Sequence, residues 1–432
     1  MADRPASGAP ALAKGAPRSF GRRVMLLAGG TALGQVLVIG ASPLLTRIYS
    51  PDDFGILGAY SAVLALVVAV VTLRYHLAIP LPERDDDGLL LVLVSLASVA
   101  LFSALLAAAL VLFGNALFGL ANAEGLARYG WVLVLGVLGS GAYQVFTYWA
   151  IRRQTFRPLA MTKVTQGAVL AASQVGIGLL SAGPLGLLLG DALGRTAGTS
   201  LLARLTLSDR GRLGGVSWRR ARDLIVRYRR FPTFSTLSAL LNTGGLQVPA
   251  LLILAFYGPQ AAGWYALTMR VFGMPMSLLG TSASQVYTSS IAELARKGES
   301  SADLYVRTAF RLLLIGLPIA GLAALLGPHA FAFVFSAEWT EAGVYARLLA
   351  PMFLVQFVAS PLSQTLNVLE RQDVQFVWDA FRLVLVGGAL LVANASGWSA
   401  THAIAAVSIA LGLAYVVLIV VCWRLTSASR GR

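Results

Sequence analysis

Arginine inside an apolar run is the first place to look for chemistry. A charge at the centre of a bilayer costs about 2.5–3.5 kcal/mol on insertion scales, so it faces a cavity or a partner. Arg270 lies well inside the apolar run 264–287, with no acidic residue within four positions. It therefore needs a partner from elsewhere in the chain or a wet, anion-accepting cavity. Arg47 and Arg74 end the first two apolar runs. A guanidinium suits a diphosphate because its fork donates two parallel, charge-assisted hydrogen bonds, although simple snorkelling to the interface serves these two arginines equally well. Asp191 and Arg195 lie four apart, and Asp379 and Arg382 three apart. Both spacings put opposite charges on one helix face. Mutual neutralisation is the plainer reading; the functional one makes Asp379 or Asp191 a carboxylate that takes up Na+ or H+. The amides Gln35, Gln144, Gln247, Asn242, Gln285 and Gln364 are suited to lining a polar path, and amides are also routine helix–helix contacts.

Nothing in the chain reads as enzymatic. His76, His329 and His402 are far apart, with no metal-ligand spacing and no glycine-rich phosphate loop, so neither metal nor organic cofactor is expected. The segments between apolar runs on one side are too short for a soluble catalytic domain. At 432 residues, 57% hydrophobic and only 12% charged, with a mean hydropathy of +0.74, the chain lacks the polar surface to cover a water-soluble globule. It is a polytopic membrane protein. The net charge of +15 would otherwise raise nucleic-acid binding, but the basic residues sit in alternate connections, which is an orientation pattern, and no nucleic-acid partner is expected. The single Cys422 excludes an intrachain disulfide.

The elements that must position these groups are twelve apolar runs of a length that crosses a ~30 Å hydrocarbon core. They fall near 24–45, 54–73, 89–113, 129–150, 159–181 and 184–203, then 232–256, 264–287, 308–334, 344–367, 374–394 and 401–423. Residues 1–23 read as a polar, disordered cytoplasmic tail, and 24–45 as an uncleaved first span rather than a signal peptide. An N-terminal lobe (24–203) and a C-terminal lobe (232–423) flank the basic linker 204–231, with a cytoplasmic tail at 424–432. Of 34 Lys and Arg, 27 fall on the side of the N-terminus, two (Arg47, Arg128) on the other, and five within spans or at their ends. Lys163 is counted with the inner connections. That bias predicts twelve spans with both ends cytoplasmic. In the linker, Trp218, Ala221, Leu224, Ile225 and Tyr228 share one helical face and arginines fill the rest, a pattern suited to lying along an anionic leaflet. The loop Tyr49-Ser-Pro51-Asp-Asp-Phe-Gly55 repeats its Tyr, Pro and Gly at Tyr257, Pro259 and Gly263, so the halves are expected to be parallel repeats.

Two stretches carry a resemblance. TRIYSPDDFGILGAY with RYHLAIPLPERDDD, and RRFPTFSTLSALLNTGGLQVPALLILAFYGPQAAGWYALTMRVFGMPMSLLG, are similar to Wzx-type oligosaccharide flippases of bacterial polysaccharide biosynthesis. These belong to the multidrug/oligosaccharidyl-lipid/polysaccharide exporter superfamily. The resemblance covers helices one, two, seven and eight closely and the rest in layout. It implies an all-α fold of two six-helix lobes forming a V around a central cavity in the bacterial inner membrane. It implies a polyprenyl-diphosphate-linked oligosaccharide as cargo, membrane lipids around the protein, and other polysaccharide-assembly proteins as partners. The cargo-facing candidates are then Arg270, Arg47, Arg74, Gln35, Asn242 and Gln247, and the ion-coupling candidates Asp379 and Asp191. Two alternatives stay open: a drug/cation antiporter of the same superfamily, against which the excess of intramembrane arginine argues, and a membrane glycan polymerase or ligase, against which the short outer loops argue.

Overall fold

The computed structural model describes residues 17–119, 124–180, 183–209, 217–297 and 299–428, and among them all regular structure is helical. The first half comprises α1 (Pro17–Ile48), α2 (Pro51–Val70), α3 (Asp85–Gly119), the single turn α4 (Glu124–Ala127), α5 (Gly130–Arg152) and α6 (Phe156–Leu180). Its last span is divided into α7 (Leu185–Thr196) and α8 (Thr199–Ser208). The linker helix α9 (Trp218–Arg227) leads to α10 (Thr236–Thr268), which a π-helical turn at Met269–Gly273 joins to α11 (Met274–Lys297). The second half closes with α12 (Ala302–Phe335), α13 (Thr340–Leu362), its short continuation α14 (Gln364–Val368), α15 (Gln372–Ala395) and α16 (Ala400–Ala428).

Among the described residues, nine helical stretches are long and apolar enough to cross a membrane. One of them, 231–273, contains a break at Gly258 (φ 83°, ψ 175°) and so holds two limbs of opposite course. α6 does not reach that hydropathy because it carries Lys163, Gln166 and Gln174, while α7 and α8 are each shorter than a bilayer-crossing helix and α7 carries Asp191 and Arg195. These are residues that line cavities, as described below. Twelve spans in two lobes result. Leu180, Phe333 and Val111 on the outside are 85–89% exposed, as befits a surface solvated by lipid tails rather than water.

The helices outrun the bilayer-length segments read from hydropathy. Residues 17–23, expected to be disordered, are helical and extend α1; residues 1–16 lie outside the described residues. α11 continues to Lys297, where Glu293 and Lys297 pair at 2.7 Å across one turn. Hydropathy falls where a helix leaves the lipid, but the backbone ladder does not require lipid to persist.

The lobes meet chiefly along α2 and α10. α2 begins at one copy of the repeated proline, Pro51, and the second limb of α10 at the other, Pro259. Ser50 caps α2 in a capping box with Asp53, with Pro51 in the first turn, whereas in the second loop Gly258 makes the turn that Pro259 follows. The two loops pack reciprocally. Gly55 lies against the carbonyl of Pro259 and Gly263 against that of Pro51, and a Cβ on either glycine would overlap the opposing carbonyl. Residue i touching the mate of j while j touches the mate of i is what a twofold relation between repeats produces. Near the same end, Trp339 stacks edge-on against Phe54 at 4.9 Å and donates Nε1–H to the Thr46 carbonyl at 3.2 Å. This loop end of the bundle is closed.

At the opposite, linker end an arginine–carboxylate network ties the connections together. Arg152 donates to Asp85 at 3.0 Å and to the carbonyls of Ile79 and Pro82 at 3.1 and 2.7 Å. Arg153 bridges Asp85 and Asp209 at 3.1 and 3.2 Å. Arg220 of α9 reaches Asp87 at 2.7 Å. The acidic run 85–87 thus holds the end of α5 and the linker helix. The apolar face of α9 is directed inward, with Ala221 and Leu224 buried, while Trp218 and Arg219, Arg222 and Arg227 are exposed.

Candidate functional site

Between the lobes lies a cavity of about 670 Å3, lined from the first half by α1, α2, α6 and α7 and from the second by α10, α11 and α13. It stops at the loop end beneath Val38, Phe54 and Tyr265, and runs toward the linker end past Gln35 and Gln285. The polar residues that reach it are largely those a lipid-facing helix would exclude: Gln35, Gln174, Asp191, Arg195, Gln247, Arg270 and Gln285.

Arg270 sits on the π-helical turn, which shifts the register of one turn and points its side chain across the lobe interface. It is only 7% exposed. Its Nη2 donates to the Val38 carbonyl at 3.3 Å and to Gln174 Oε1 at 3.2 Å, both in the opposite lobe. Its Nε has no partner among the described residues. Two neutral acceptors and an idle donor leave the guanidinium charge open to an anion. On the facing lobe, Arg195 pairs with Asp191 at 2.6 Å and both line the cavity. Arg195 side chain remains 41% exposed, so its charge is held but not enclosed.

The other candidates fall elsewhere. Arg47 is exposed near the loop end and donates to its own helix at the Pro43 carbonyl, 3.1 Å away. Arg74 is near the linker end, in a left-handed conformation (φ 60°), with Nε 3.4 Å from Ser235 Oγ. Neither lines the cavity; the first-lobe guanidinium that does is Arg195. Asn242 and Asp379 belong to a separate, enclosed cluster. There Arg382 donates to Asp379 at 3.1 Å and to the carbonyl and Oδ1 of Asn242 at 2.9 and 3.0 Å. Gln375 donates to Asp379 at 3.1 Å, and Arg382 lies 4.6 Å over the Trp378 ring. Both charged side chains of the pair are 3% exposed. Gln144 and Gln364 line no cavity described here: Gln144 Oε1 is buried without a partner, and Gln364 is bonded to Asn367 near the surface. Sequence reasoning missed Gln174, whose amide is as conspicuous in its apolar run as Gln35 in its own, and misplaced Lys163, which lies within α6 rather than in a connection. No cluster of three or more His, Cys, Asp or Glu suited to a metal occurs among the described residues.

Two pseudo-symmetric helical lobes clasping a polar, net-basic cavity within a lipid-facing shell define a membrane carrier fold. Solved structures with that fold include an inward-facing multidrug resistance MATE family transporter of the MOP superfamily, at TM-score 0.65 and 14% identity, covering 95% of this chain and 98% of that one. The lipid II flippase MurJ in an inward closed conformation superposes at TM-score 0.70 and 12% identity, covering 94% and 87%. A family model described as polysaccharide biosynthesis protein matches residues 44–344. The chain belongs to that family. It is also 25% identical over 168 residues to the teichuronic acid biosynthesis protein TuaB of Bacillus subtilis (strain 168), a match spanning 39% of this chain and 35% of that protein.

Proposed function

We propose that the protein flips a polyprenyl-diphosphate-linked oligosaccharide from the cytoplasmic to the outer leaflet of the bacterial inner membrane by alternating access. One observation carries the reading: a net-basic cavity between two lobes, closed at the loop end, with a buried arginine reaching from one lobe into the other. With the linker and N-terminus cytoplasmic, as the arginine bias argues, the cavity is the inward-facing one. A diphosphate offered from that side would meet Arg270 from the second lobe and Arg195 from the first. Arg270 would exchange neutral acceptors for charge-assisted bonds, and Arg195 would offer the N–H groups it does not use on Asp191. An anion gripped from two sides draws the lobes together at the linker end, and rocking about α2 and α10 then releases the loop end. Polysaccharide biosynthesis, the lipid II named for MurJ and the teichuronic acid biosynthesis named for TuaB support the cargo class. The cavity's two arginines against Asp191 weigh against a cation antiporter, and Asp191, in the wet cavity, is better placed than Asp379 to take up a coupling Na+ or H+.

Arg270→Ala should lower export of lipid-linked oligosaccharide by at least about tenfold, the loss expected of a charge-assisted hydrogen bond. Abundance should stay near normal, because removing an intramembrane charge relieves insertion cost. Arg270→Lys should keep partial activity, since an ammonium retains the charge but not the fork. Full export by Arg270→Ala at normal abundance, measured in cells whose glycan assembly depends on this protein, would overturn the role of Arg270.

A further inference from the structure

Beside the central cavity, within the first lobe, lies a second chamber of about 370 Å3. The two adjoin, with Gln35, Asp191 and Arg195 among the residues that line both. Its volume is room enough for a sugar ring. α1 and α6 approach so closely behind it, Gly34 against Gly167, that no side chain fills the space. Its chemistry differs from that of the main cavity. Lys163 lines it with Nζ 4.8 Å over the Tyr143 ring, and no carboxylate pairs with Lys163 among the described residues. The charge of Arg195 is matched by Asp191, so the chamber holds one uncompensated positive charge. Two lining atoms, Gln35 Oε1 and Ser140 Oγ, are buried without a hydrogen-bond partner. Other helix hydroxyls return to their own backbone, as Thr31 does to Leu27 and Thr196 to Ala192. Gln166 fixes the wall by donating to the Arg195 carbonyl at 2.9 Å.

We infer that this chamber is a subsite for one monosaccharide unit of the cargo that bears a carboxylate. One free ammonium answers one carboxylate, an orphaned amide oxygen accepts from a ring hydroxyl, and a serine hydroxyl accepts or donates to another. The inference rests on the cargo class proposed above, and assigns to it an acidic glycan. A diphosphate alone would leave the orphaned acceptor unanswered, because it has no proton to donate.

The test uses full-length protein in nanodiscs and three synthetic probes: bare polyprenyl diphosphate, the same lipid bearing a glucose disaccharide, and the same lipid with glucuronate in place of the terminal glucose. Wild type should bind the glucuronate probe about tenfold more tightly than the glucose probe, the increment expected of one charge-assisted contact. Lys163→Gln should erase that preference while leaving affinity for the glucose probe within about twofold, and Lys163→Arg should retain it. Equal affinity of wild type for the acidic and neutral probes overturns the subsite and leaves the cargo class standing. So does a preference that survives Lys163→Gln. Failure of all three probes to bind overturns the cargo class itself, and the subsite with it.

Discussion

At the scale of single residues, the two acid–base pairs look alike in sequence and are unlike in place. Asp191 and Arg195 face a cavity, whereas Asp379 and Arg382 are enclosed and tied to Asn242, Gln375 and Trp378, with Arg382 Nε left without a partner among the described residues. Removing one member of a buried pair leaves an uncompensated charge and costs about 3–5 kcal/mol, while removing both is often nearly neutral. Asp379→Asn should therefore lower the thermal stability of the purified protein and its export, and Asp379→Asn with Arg382→Gln should restore both. A double variant that is stable yet does not transport would instead give Asp379 a coupling role. The spacing of three or four was enough to predict both pairs. It was silent on which pair is wet, because that depends on how helices from distant parts of the chain turn toward one another. The same silence separated Arg270, which enters the cavity through a π-helical turn, from Arg47 and Arg74, which do not.

At the scale of elements, the closed loop end rests on α2 and α10, where Gly55 and Gly263 meet the carbonyls of Pro259 and Pro51. No side chain can be added there without separating the helices. Gly55→Leu should hold the loop end open. With cysteines introduced at exposed positions of the two loops, reactivity toward an impermeant maleimide from the outer face should rise several-fold over the same cysteines in an otherwise native chain. Cys422 is the native cysteine and is buried, so background labelling is low. Unchanged reactivity in a folded Gly55→Leu protein would mean that the seam does not govern the opening. The Tyr-Pro-Gly repeat was legible in the sequence; that the two copies touch each other was not, since a repeat states likeness and says nothing of contact. The acidic run 85–87 was likewise read only for its small weight in topology, and its partners Arg152, Arg153 and Arg220 arrive from two other parts of the chain.

At the scale of the whole molecule, twelve spans and two lobes could be read from run length and arginine bias because the bilayer imposes both. Reporter fusions within 204–230 and 292–303 should read cytoplasmic, and those within 257–263 and 335–343 should read as outside; two consecutive connections on the same side would sink the arrangement. α6 falls below the hydropathy of a self-sufficient membrane helix because it faces the cavities. That has a consequence for synthesis. As α6 emerges from the ribosome, its polar stripe with Lys163, Gln166 and Gln174 has no lipid it can comfortably enter. α1, against which Gly167 packs, is already in the bilayer, but α7, which will cover the other side, has yet to be made. The helix that lends its polar residues to the two cavities must be sheltered by its earlier neighbour until its later one arrives, so the first lobe is assembled as a unit rather than span by span.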